Sequence, residues 1–197
     1  MRTKALVNLH GVLHHQNTLY EVTAPTALYV CAILPDPRTT RTVEKARWDF
    51  PGNMRAELLA WIASVANEAT DAADATSRRY GFPLDDYPPA VAIQRIRPLL
   101  FSASFTCADD DDRHVREAAI AACIPLLDDP LLLHRRATLA PLVRQVLGTM
   151  PSTSWGEDSS GIEGQRNAFL FCDTDMSPDS SQWHASPSEG FNEEPPL

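Results

Sequence analysis

The sequence predicts an all-α protein, a stack of antiparallel helix pairs followed by a disordered acidic tail. Three observations lead there. Apolar residues recur at helical spacing in several separate segments of the first 150 residues, no segment sustains the alternation of a strand, and the composition changes sharply at Pro151. The 197 residues thus divide into a helical domain over 1–150 and an acidic, Ser- and Pro-rich tail over 151–197.

The first helix is expected over Ala5 to Leu13, with Gly11 inside it and no clear cap in front. Next, Ala27, Val30, Cys31 and Leu34 form a stripe that begins after Thr23, read as the cap. Pro25 falls in the first turn, where its missing donor costs little, and Pro35-Asp36-Pro37 ends the helix.

Between residues 53 and 69, Leu58, Trp61, Ile62, Val65 and Ala69 share one face, with Asn53 as the cap. This helix is expected to fray through the Ala-rich stretch as far as Arg79, before Gly81 and Pro83 stop it. Pro88-Pro89 opens a helix through Ala92, Ile96, Leu99, Leu100 and Ala103, which Pro98 should bend.

Asp109 to Asp112 precede a further helix through Val115, Ala119, Ala122 and Leu126, with Asp128-Asp129-Pro130 as its stop. The last helix carries Leu139, Leu142, Val143, Val146 and Leu147 and closes at Gly148 and Pro151. Beyond it, too little apolar surface is available to offset the entropy of ordering, and only Ala168 to Phe171 offer a local apolar contact.

Charge and composition exclude several functions. The tail holds nine acids against Arg166 alone, so its −8 taken from the total of −9 leaves −1 for the body. A near-neutral body lacks the basic footprint of a nucleic-acid binder. The apolar runs fall short of the ~20 residues that cross a bilayer, and no signal-peptide core follows Arg2 and Lys4. A cytoplasmic protein is expected, with Cys31, Cys107, Cys123 and Cys172 as reduced, structural thiols.

Chemical constellations are sparse. His10 and His14 share a helical face, as zinc ligands would, but Gly11 stands where a metalloprotease needs Glu and no third ligand is evident. With His15 they read as packing or surface histidines. Asp109 to Asp112 lack the Gly and Glu of a calcium loop and read instead as a helix N-terminus, where acids gain from the exposed N–H dipoles. The eight glycines are scattered singly, so phosphate, dinucleotide and nucleophile-elbow signals are missing. No catalytic, cofactor or metal residue is assigned.

Two basic clusters, Arg78-Arg79-Tyr80 and Arg135-Arg136, have two readings. As solvated helix ends they would favour a C-terminal dipole. As a contact surface they would bind protein, since Arg and Tyr are enriched in interface cores.

The run from Asp112 to Ala122 resembles the Asp-x-x-Val-Arg-x-x-Ala-x-x-Ala core of HEAT-like helical repeats, and the region 15–149 looks like bacterial HEAT-repeat proteins of unassigned function. Leu34-Pro35-Asp36-Pro37 and Leu127-Asp128-Asp129-Pro130 recur as similar helix ends. The resemblance implies a short right-handed α-solenoid and a non-catalytic scaffold that binds a protein partner, its Arg116 pairing with acids of a neighbouring repeat. About two and a half repeats are counted where at least ~3 are normal, so an uncapped end would offer a surface for self-association. A generic helical bundle satisfies the same periodicity. The alternative function is an enzyme on this fold, either a nucleic-acid base-excision type or a metal hydrolase using the N-terminal histidines. The charge balance counts against the first and the missing ligands against the second.

Overall fold

The computed structural model describes residues 2–12, 14–15, 18–44 and 51–149. The expected disordered tail, with Cys172 inside it, lies outside the described residues.

Seven α-helices occur among the described residues: α1 (Arg2–Val12), α2 (Thr23–Ile33), α3 (Met54–Asn67), α4 (Asp71–Arg79), α5 (Pro88–Phe105), α6 (Arg113–Leu126) and α7 (Arg136–Thr149). Their starts follow the capping residues. The side-chain oxygen of Asn53 accepts the Arg55 N–H at 2.9 Å, and that of Asp112 accepts the His114 N–H at 2.8 Å. Each satisfies a donor that the first helical turn leaves without a partner. Thr23 departs from expectation: it is the first residue of α2, and its hydroxyl accepts the N–H of Tyr20 at 2.9 Å. Both α5 and α6 continue helical through their prolines, Pro98 and Pro125.

Two expectations need correction. The Ala-rich stretch is a separate helix and not a frayed end of α3. The chain breaks at Glu68 to Thr70, and Thr70 recaps it by accepting the Ala73 N–H at 3.1 Å. A Thr followed by Asp71 is a start signal strong enough to interrupt a run of good helix formers. The second correction concerns strands. β1 (His14–His15) pairs antiparallel with β2 (Thr18–Leu19), and β3 (Thr42–Glu44) with β4 (Pro51–Asn53). Ladders of two or three residues are too short to show the alternation by which strands are read from sequence.

The helices form one buried core, in which Trp61, Leu59, Ile62, Ile93, Leu100, Val115 and Leu126 are fully enclosed. Helix α3 lies along α6, α2 along α5, and α5 against α6. Hydrogen bonds fix directions. At the start of the α3/α6 pair Asn53 Nδ2 donates to Asp112 Oδ2 at 2.9 Å, and just past its end the Asp71 N–H donates to Asp128 Oδ2 at 2.9 Å. These two helices therefore run parallel. Helix α5 runs the other way: Gln94 and Arg97, the seventh and tenth of its 18 residues, donate to the Ala69 carbonyl beyond the end of α3, while the loop after α5 meets the start of α3 through Arg55 and Asp110. Helix α1 is tied to α3 where the buried Trp61 Nε1 donates to the Leu9 carbonyl at 3.1 Å.

The turns noted for their similar sequences share a local structure. Asp36 caps a 3-10 turn over Pro37–Thr40 and Asp129 caps one over Pro130–Arg135, each accepting an N–H two residues on at 2.8 Å. Pro at the next position suits both, because its fixed φ is helical and it presents no orphan donor.

Candidate protein-binding surface

Helix α4 sets Ala72, Ala73 and Ala75 among acidic, hydroxyl and basic residues, and none of its residues is fully buried. Its acids Asp71 and Asp74 lie in the first turn and Arg78 and Arg79 in the last, the order that the helix dipole favours. Past Arg79 the helix closes in two main-chain bonds. The Phe82 N–H donates to the Ser77 carbonyl at 3.0 Å and the Gly81 N–H to that of Arg78 at 3.1 Å. This pairing is the Schellman motif, and it requires a left-handed residue at Gly81, whose φ is 84°.

The motif usually packs the apolar residue after the glycine back onto the helix. Here it does not. Phe82 is 75% exposed and Tyr80, at the helix C-cap, is 76% exposed. Arg79 is exposed beside them and has no ion pair among the described residues. Arg78 is placed differently. Its Nε contacts Asp74 Oδ2 and its Nη2 contacts Asp85 Oδ2, each at 2.6 Å. Asp74 also accepts the Leu84 N–H at 2.8 Å, so Arg78 and Asp74 brace the turn from within. The hydrogen bond from Arg78, with that N–H, holds the Asp74 carboxyl below the ordinary carboxylate range.

Sequence reasoning did not single out Phe82. The available signal was Gly81 followed by an aromatic residue, a position from which an unpacked side chain must meet solvent. The second basic pair stands elsewhere. Arg135 is exposed at the end of a 3-10 turn, and Arg136 opens α7, so neither lies at an α-helix C-terminus. The Arg136 Nε is buried and has no hydrogen-bond partner among the described residues. No hydrogen bond or ion pair joins the two basic clusters there.

A groove of about 340 Å³ lies between the Asp109–Asp111 loop, α6 and α7, with Ile120 and Leu142 in its lining. Three of its charged side chains are held in ion pairs. Asp110 pairs with Arg55 at 2.8 Å, and Arg113 pairs with Glu117 at 2.6 Å. Arg116, expected to reach acids of a neighbouring repeat, instead donates to the carbonyls of Asp110 and Asp111 at 2.6 and 2.9 Å. Arg55, on α3, reaches the acidic run instead, at Asp110 in the loop before α6.

Asp112 completes the acidic run. Burial raises its carboxyl, but the Asn53 amide and the His114 and Val115 N–H groups outweigh that and hold it below the ordinary range. The run therefore serves a helix start and an ion pair. Among the described residues, no group of three or more His, Cys, Asp or Glu side chains is placed to hold a metal. The side chains of His10, His14 and His15 lie outside the described residues. Cys107 and Cys123 are buried and Cys31 half-buried, all as free thiols, and burial pushes the Cys31 thiol up to about 11. No helix among the described residues is long and apolar enough to cross a membrane.

The chain matches no protein-family model, no curated protein and no solved structure.

Proposed function

We propose that the chain is a non-catalytic scaffold of the HEAT-like kind, a short right-handed α-solenoid that binds a protein partner through Arg79, Tyr80 and Phe82. The observation that carries this reading is the rigid display of two exposed aromatics and an arginine on a turn closed by main-chain bonds. Tyr and Arg are the residues most enriched among binding hot spots, and a fixed turn reduces the entropy lost on association. The parallel stacking of α3 on α6, with α5 antiparallel to both, supports the solenoid part, since successive helix pairs of a solenoid stack in this manner.

The test uses the full chain as bait in an extract of the source cytoplasm. A partner recovered with the native protein should be lost with the triple variant Arg79→Glu, Tyr80→Ala, Phe82→Ala. Because all three side chains are exposed, the variant should keep the native fold, its melting temperature lowered by no more than a few degrees through the reversed charge at the end of α4. Equal recovery by the two proteins would rule out this surface.

A further inference from the structure

Helix α2 has two apolar faces, and the described residues cover one of them. Thr23, Ala24, Ala27, Val30 and Leu34 are buried on the side toward α5. At 3.6 residues per turn, Val22, Pro25, Leu28, Tyr29 and Ala32 form a stripe on the opposite side, and all five are exposed. Tyr29 is 66% exposed and Val22 51%. No residue from Thr23 to Ile33 carries a charge. A helix that is apolar around its whole circumference normally has both sides buried.

The ends of the stripe carry opposite charges. Glu21 precedes α2 and is exposed. Arg38 follows it, its charge close enough to Tyr29 for the tyrosine to act on it. Asp36 also stands at this end, bound to Arg38, but the side-chain exposures of 79% for Arg38 and 28% for Asp36 leave the guanidinium as the outward partner. An order of acid, apolar stripe and base is complementary to itself when two copies meet antiparallel. A parallel meeting would set like charges together.

We propose that the exposed face of α2 binds a second copy of this chain across a two-fold axis near Leu28 and Tyr29, with α2 antiparallel to its copy and Glu21 of each protomer facing Arg38 of the other. A two-fold contact of this kind uses the same patch on both subunits. It is separate from the surface at Arg79, Tyr80 and Phe82, and either can fail without the other.

The experiment is sedimentation of the full chain between about 1 and 100 µM. The native protein should dimerise, and Tyr29→Asp should raise the dimer dissociation constant at least about tenfold with unchanged helical circular dichroism. Glu21→Lys and Arg38→Glu should each weaken self-association. An equimolar mixture of those two variants should restore it, because every cross-axis pair is again of opposite sign. A monomer throughout the range overturns the proposal, including one in which Tyr29 resists nitration because the chain's own C-terminal segment covers it. A dimer indifferent to Tyr29→Asp overturns it too, as does failure of the mixture to recover.

Discussion

The caps of α3 and α6 are bonded to each other. Asn53 Nδ2 donates to Asp112 Oδ2 at 2.9 Å, while Asn53 Oδ1 and Asp112 Oδ1 each cap their own helix. One amide and one carboxylate thus start two helices and align them side by side. Removing either cap should cost about 1 kcal/mol, up to about 2 for a cap with good geometry. Asn53→Ala and Asp112→Ala should each lower the urea midpoint, and a double-mutant cycle should give a coupling of about 0.5–1.5 kcal/mol. Strict additivity would mean that the contact between the caps contributes nothing.

Ala119 is fully buried on α6, whereas Glu117 lies on the same helix paired with Arg113 at 2.6 Å. Ala119→Asp would bury a charge among apolar side chains and should cost several kcal/mol, enough to unfold a marginal domain. Glu117→Lys loses one i,i+4 pair and creates a like-charge pair, together worth about 0.5–1 kcal/mol. Thermal melting of the two variants should separate them clearly. Similar midpoints would place the wrong face of α6 inward.

Gly81 occupies a left-handed conformation with no atom near the position of an added Cβ. Only backbone strain then opposes a side chain there. Gly81→Ala should destabilise the end of α4 by about 1–2 kcal/mol, and Gly81→Asn by less, since Asn tolerates that region. Amide exchange at Gly81 and Phe82 should speed up in the Ala variant before the core is affected.

Burial pushes the Glu68 carboxyl up to about 7 from its ordinary 4.5. The folded chain therefore holds that proton more tightly than the unfolded chain. Its contribution to stability is complete below about pH 4.5 and is lost as pH rises through about 7. Asp36, Asp74 and Asp112 are shifted the other way, so what they add is present at neutral pH and lost only in more acidic solution. From about pH 5 to about pH 8 the melting temperature should fall, and Glu68→Gln should flatten the slope. An unchanged slope in the Gln variant would assign the effect to another group.

Helix positions and several caps were legible in the sequence because both are local. Periodicity at 3.6 residues marks the inward face of α3 and α6, and Asn53 and Asp112 act on N–H groups two or three residues away. The break before α4 was also written locally, in Thr70-Asp71, but the alanines around it obscured the signal. Other features depended on partners far away in the chain. Whether Arg116 or Arg55 pairs with an acid distant in the chain depends on which helices become neighbours, and Asn53 and Asp112 are 59 residues apart. Likewise, the pattern of α2 marks apolar residues on two faces without saying which face α5 will cover. By itself the sequence determined where helices start and which residues prefer burial, because those preferences act over a few residues. The tertiary structure alone decided which helices pair, which charges meet, and which apolar surfaces at Tyr29, Tyr80 and Phe82 stay open to solvent, because these depend on packing between segments that no local window contains.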